Sequence, residues 1–155
     1  MMLRRKFRSW VFAFTATKIE STIGLNSILK DGNHVLMWDF DGYEHLDVLY
    51  NDLAYLQVNH ELPDIYVFES SPKHYLALCL HRTRWIYALH ILTELVCVDH
   101  AWIKACVTRG YFTIRIGTKH GHEPKPIRVL LSHVKETVRI EELENYDRYE
   151  IHASR

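Results

Sequence analysis

Apolar and polar positions alternate between two periods along the chain. The run Trp10-Val-Phe-Ala-Phe-Thr-Ala-Thr17 is aromatic and small and predicts a strand. Residues 19–29 fit no single period and read as a short helix or a loop. Lys30-Asp31-Gly32-Asn33 is a turn cluster. His34-Val-Leu-Met-Trp-Asp-Phe40 is apolar almost without interruption, which predicts a strand covered on both faces. Gly42 ends it. Residues 43–58 place Leu46, Leu49, Tyr50, Leu53 and Leu56 on one helical stripe, with Glu44, Asp47 and Asp52 mostly opposite. Ile65–Phe68 and His74–Leu80, joined by Ser70-Ser71-Pro72-Lys73, predict a β-hairpin.

The stretch 83–96 is the most apolar helix, and Asp99 precedes a second, short one over 101–106 as its cap. Arg109-Gly110 breaks that helix. Tyr111–Ile116 alternates as a strand, 117–126 is a loop rich in Lys and His, and 127–131 is a further strand, a candidate hairpin partner of 111–116. A last strand is expected near 148–151. These elements give an α+β fold, a mixed or antiparallel sheet with hairpins flanked by two main helices, in one domain spanning 1–155.

Composition narrows the class. The chain has 155 residues, 48% apolar and 25% charged, ordinary for a globular domain and unlike a disordered chain, a collagen or a disulfide scaffold. Three cysteines without a CxxC pair fit a reduced, cytoplasmic setting. No apolar run reaches the roughly 18 residues of a membrane helix. Arg4-Arg5-Lys6-Phe7-Arg8 reads as a basic arm leading into a strand rather than a secretory signal.

A net charge of zero conceals blocks. Residues 32–69 hold eight acids and no Lys or Arg; residues 70–135 hold ten Lys and Arg against three acids. Adjacent blocks of opposite sign suit either mutual neutralisation or a metal site beside a polyanion-binding surface.

Asp39-Phe40-Asp41 ends the apolar strand. Alternation points both carboxylates the same way, about 7 Å apart. They repel each other unless a cation intervenes, and Mg²⁺ is held by one or two carboxylates plus substrate phosphates. The small-residue turn with Ser71, Lys73 and His74 suits a nucleotide's phosphates, whose oxygens backbone amides can cradle. Asp99 is either a third carboxylate for the cations or a helix cap. Arg115, mid-strand between apolar neighbours, needs an anionic partner: Asp99, another acid or a phosphate. Lys119, His120, His122 and Lys125 follow in a loop suited to a nucleic-acid backbone.

In this order the motifs resemble the archaeo-eukaryotic primase superfamily, the small primase-polymerases of phages and plasmids. Met37-Trp38-Asp39-Phe40-Asp41 is similar to that family's hydrophobic strand ending in Asp-x-Asp, Ser70–Tyr75 to its small-residue turn with a histidine, Asp99 to its third acid, and Arg115 with Lys119 to its downstream basic pair. The resemblance covers residues 35–120. Where the family's turn reads Ser-Pro-x-x-Tyr-His, the histidine falls at the position of Leu76 here.

The resemblance implies a primase-polymerase (RRM-like) core and template-dependent nucleotidyl transfer in replication of a phage or mobile element. It implies two Mg²⁺ or Mn²⁺ ions on Asp39, Asp41 and Asp99. Ser71, Lys73 and His74 would bind the incoming triphosphate, with Arg115 and Lys119 neutralising charge. The implied partners are nucleoside triphosphates, a single-stranded or primed DNA template and a separate helicase, with no membrane. Two alternatives stand beside it. One is a haloacid dehalogenase-like phosphatase using Asp39 and Asp41 before Gly42. The other is a non-catalytic nucleic-acid-binding replication protein, stacking bases on Trp85, Tyr87, Trp102, Tyr111 and Phe112.

Overall fold

A computed structural model describes residues 2–7, 10–15, 18–41, 43–119 and 121–152; Arg8, Thr17, Gly42 and His120, named above, lie outside them. The described elements run β1 (Met2–Phe7), β2 (Trp10–Thr15), β3 (Lys18–Asn26), β4 (His34–Asp41), α1 (Leu46–Asn59), β5 (Ile65–Ser71), β6 (His74–Thr83), α2 (Trp85–Thr93), α3 (His100–Arg109), β7 (Thr113–Arg115), β8 (Lys125–Leu130), a 3₁₀ turn Ile140–Glu142 and β9 (Asn145–His152). The fold is mixed α+β with antiparallel pairing throughout the described sheets. β1 and β2 form a hairpin, β7-β3-β9 a three-stranded sheet and β4-β6-β5-β8 a four-stranded sheet. None of the described helices is long and apolar enough to cross a membrane.

The apolar run of β4 is buried because both its faces are covered; Val35, Leu36, Met37, Trp38 and Phe40 have no exposed surface. Leu49, Leu53 and Leu56 of α1 are equally buried. Tyr50 lies 4.5 Å from the Arg128 guanidinium of β8, and the Gln57 side chain donates to the carbonyls of Pro63 and Leu130. Arg128 pairs with Val67, and Val67 with Ala77, so α1 covers the face that those residues share with Trp38 and Phe40. The other face carries Asp39, Asp41, His74, Leu76, Phe68 and Leu78. The second sheet faces it, and Leu25 and Ile114 line a cavity together with Phe68 and Leu78.

A chain of rings ties α2, α3, β4 and the residue before β7 together. His34 and Trp85 have centroids 5.0 Å apart, Trp85 and Phe112 4.6 Å, Phe112 and Trp102 5.7 Å. The Phe112 amide donates to Ser27 Oγ at 2.9 Å, and Ser27 Oγ stands 3.0 Å from His34 Nδ1. Burial holds His34 below the usual histidine range, so the ring that hydrogen-bonds with the serine is neutral.

Three expectations are corrected here. The stretch 19–29, read as helix or loop, contributes most of β3, a nine-residue strand pairing with both β7 and β9. β7 pairs with β3, not with β8, which lies on β5 instead. Of the five aromatic residues expected to stack bases, Phe112 is buried with Trp85 and Trp102 packed on it, while Tyr87 is 57% exposed and Tyr111 lies beside the Arg109 guanidinium.

Candidate functional site

One cleft of about 410 Å³ opens on the uncovered end of the four-stranded sheet. It is lined by Asp39, Asp41, Ser70, Ser71, His74, Leu76, Asp99, Arg115, Lys119 and His122. Seven of the eight residues singled out from the sequence line it. The eighth, Lys73, is not in the lining; it sits in the β5–β6 turn at φ 65°, with Nζ 3.8 Å from Glu44.

Each side chain arrives there for a local reason. Asp39 and Asp41 are alternate residues of β4 and so share its open face. Directly across, Leu76 pairs with Asp39 and His74 with Asp41. His74 Nδ1 is 2.6 Å from Asp41 Oδ1, which makes the imidazole a fixed neighbour of that carboxylate. The Leu76 position thus faces Asp39, and the histidine faces the acid one pair further along.

Asp99 caps a helix and also lines the cleft. Its Oδ1 accepts from the Ala101 amide at 2.7 Å and caps α3, whose other end is closed by Gly110 at φ 82°. Its amide donates to the Asp39 carbonyl at 2.9 Å, and Val98 bridges Phe40. Those bonds bring the third acid alongside the end of β4.

Arg115 differs from expectation. Its guanidinium donates to backbone carbonyls: Nη2 to Ser70 at 2.8 Å, Nη1 to His122 at 2.7 Å and to Gly117 at 3.3 Å. One residue therefore pins the β5–β6 hairpin and both ends of the 117–122 loop to β7. Burial lowers its proton affinity, and the nearby carboxylate that opposes this is Asp39, not Asp99.

The loop itself closes as Lys119 and His122 exchange backbone hydrogen bonds of 2.9 Å, with Gly121 at φ 80° between them. Ser70, part of the small-residue turn, also lines the cleft, as does His122, which the sequence placed only in a loop suited to a nucleic-acid backbone. The signal for Ser70 was its place in the turn; His122 is brought in by the Arg115 bonds, which no local pattern announces.

The electrostatics of the cleft are unfavourable to a charged Asp39. Asp39 is pushed up from 3.8 to about 7, first by burial and then by the carboxylates of Asp41 and Asp99, against weaker opposition from His74 and Arg115. A group of acids that raises one member's proton affinity this far attracts positive charge. Among the described residues no three His, Cys, Asp or Glu side chains form a ready-made metal cage. The donors present are nonetheless the hard oxygens that Mg²⁺ and Mn²⁺ prefer, and such ions complete their shells with water and substrate phosphate.

The phosphatase alternative requires a parallel, doubly wound sheet with the acids at its centre. Here β4 is an edge strand of an antiparallel sheet, which removes that reading. No family model, curated protein or solved structure matches the chain.

Proposed function

We propose that the chain is a divalent-cation-dependent nucleotidyltransferase of the primase-polymerase kind, extending a nucleic-acid strand on a template in replication of a phage or mobile element. The observation that carries this reading is the convergence of Asp39, Asp41 and Asp99, from two separate segments, in one cleft that also holds Ser71, His74 and Lys119.

Asp39, Asp41 and Asp99 would hold the cations. Bound there, Mg²⁺ or Mn²⁺ supplies neutralisation of triphosphate charge and a lowered pKa for the attacking hydroxyl. The chain's own groups do the rest. Asp41 fixes the His74 ring through Nδ1, which leaves Nε2 as the nitrogen for a phosphate oxygen. The Ser71 hydroxyl and the Lys119 ammonium supply further donors on the cleft wall. Arg115 keeps the two phosphate-facing loops in place through their carbonyls.

The test supplies template DNA, nucleoside triphosphates and Mn²⁺ and follows labelled product. Template-dependent oligomers that vanish in Asp39→Ala are the expected result. Salt-sensitive DNA binding with no synthesis under any cation would instead assign a non-catalytic binding module.

A further inference from the structure

The sheet face that carries the carboxylates continues past them. Beyond Leu76 it runs on through Leu78 and Leu80 of β6 and through Phe68 and Tyr66 of β5, which pair with Leu76 and Leu78. Two cavities open over it, of about 260 and 520 Å³, and they share Phe68, Leu78 and Ile140 as one trench. Arg115 lines both the smaller cavity and the carboxylate cleft, so the trench starts where the cleft stops.

We infer that this trench seats the unpaired bases of a nucleic-acid strand whose neighbouring nucleotide lies in the cleft; the inference rests on reading that cleft as a nucleotidyl-transfer site. Three observations select this occupant. The trench is continuous with the cleft at Arg115, and a strand engaged at the carboxylates must pass along one of its walls. Its floor presents rings at alternate positions of one strand, Tyr66 and Phe68, about 7 Å apart. Sheets that bind single strands use such rings to stack unpaired bases. Its far rim carries Glu136, whose Oε1 accepts from the Tyr66 hydroxyl at 2.6 Å and so fixes that ring, with Glu141 as a carboxylate able to accept from base amino groups and Arg139 as a guanidinium for a phosphate. Of the rings expected from the sequence, Phe112 is fully buried between Trp85 and Trp102 and cannot stack on a base.

The experiment measures two affinities on the full chain: a fluorescein-labelled oligodeoxythymidine by anisotropy, and Mn²⁺ with a nucleoside triphosphate by calorimetry. The variants are Phe68→Leu, which removes a stacking ring at similar volume, and Ile140→Gln, at a position 45% exposed and shared by both cavities. Melting curves verify that each folds. The expected result is oligonucleotide binding weakened about fivefold or more in each variant, persisting at high salt because stacking rather than phosphate contact is lost. Nucleotide affinity should change less than twofold. Unchanged oligonucleotide affinity in both folded variants overturns the trench assignment while leaving the cleft reading intact. Oligonucleotide binding that depends on Phe68 and Ile140 in a chain that binds no Mn²⁺-nucleotide supports the trench and removes the cleft reading. Binding of an apolar peptide in the trench, with no oligonucleotide bound, overturns the assignment too.

Discussion

Replacing Asp39 by asparagine should make the cation-free protein more stable. The carboxylate is pushed up to about 7 by burial and by Asp41 and Asp99. An acid whose proton affinity is higher folded than unfolded keeps its proton in the folded state over a range where the unfolded chain has lost it. Stability therefore falls as pH rises from about 4 to about 7, and the full cost remains above that. At about 1.4 kcal/mol per pH unit the charge costs at most about 4 kcal/mol; water reaching the cleft reduces this to about 2 kcal/mol. An asparagine in place of the acid keeps the shape and removes the charge. In chelator at pH 8, Asp39→Asn should melt about 4–8 °C above the parent, with a difference that shrinks toward zero at pH 4. Adding Mn²⁺ should raise the parent's melting temperature and not the variant's. A variant that melts lower at pH 8, or by a margin independent of pH, would refute the argument that mutual repulsion strains this cleft.

Other consequences are checked by ordinary means. Ser27→Ala leaves the Phe112 amide and His34 Nδ1 without their buried partner and should cost about 1–3 kcal/mol, read as a lower urea midpoint. Gly110→Ala forces a side chain onto φ 82° at the end of α3 and should cost about 1 kcal/mol in the same assay. Arg115→Lys cannot span the carbonyls of Ser70, Gly117 and His122. Hydrogen exchange at Lys119 and His122 should then rise at least tenfold while the core amides of β6 hold their protection.

Much of the cleft was legible because strands impose a period of two. That period alone puts Asp39 and Asp41 on one face of their strand and His74 and Leu76 on one face of theirs; that the two pairs stand opposite each other comes from the β4–β6 register, which no local pattern announces. Asp99 was legible as a cap or as a third acid, and a single carboxylate can be both, since capping uses Oδ1. Arg115 was correctly read as needing partners: carbonyl oxygens take its hydrogen bonds, and the acid near it is Asp39 rather than Asp99. That outcome depends on how two distant loops close, which is invisible to local pattern. β3 was missed for a related reason. Its polar Glu20, Ser21 and Thr22 carry no apolar alternation, and its pairing with β7 and β9 comes from far along the chain. The tryptophans were misjudged because basic residues between them suggested a surface, whereas helical spacing turned Trp85 and Trp102 inward onto Phe112.

The most direct test of the central claim is a Mn²⁺ titration followed by electron paramagnetic resonance, with a nucleoside triphosphate present. The parent should remove Mn²⁺ from the free signal, and a chain carrying Asp39→Asn, Asp41→Asn and Asp99→Asn should lose that uptake while staying folded. Equal uptake by both proteins would contradict the assignment of these three carboxylates.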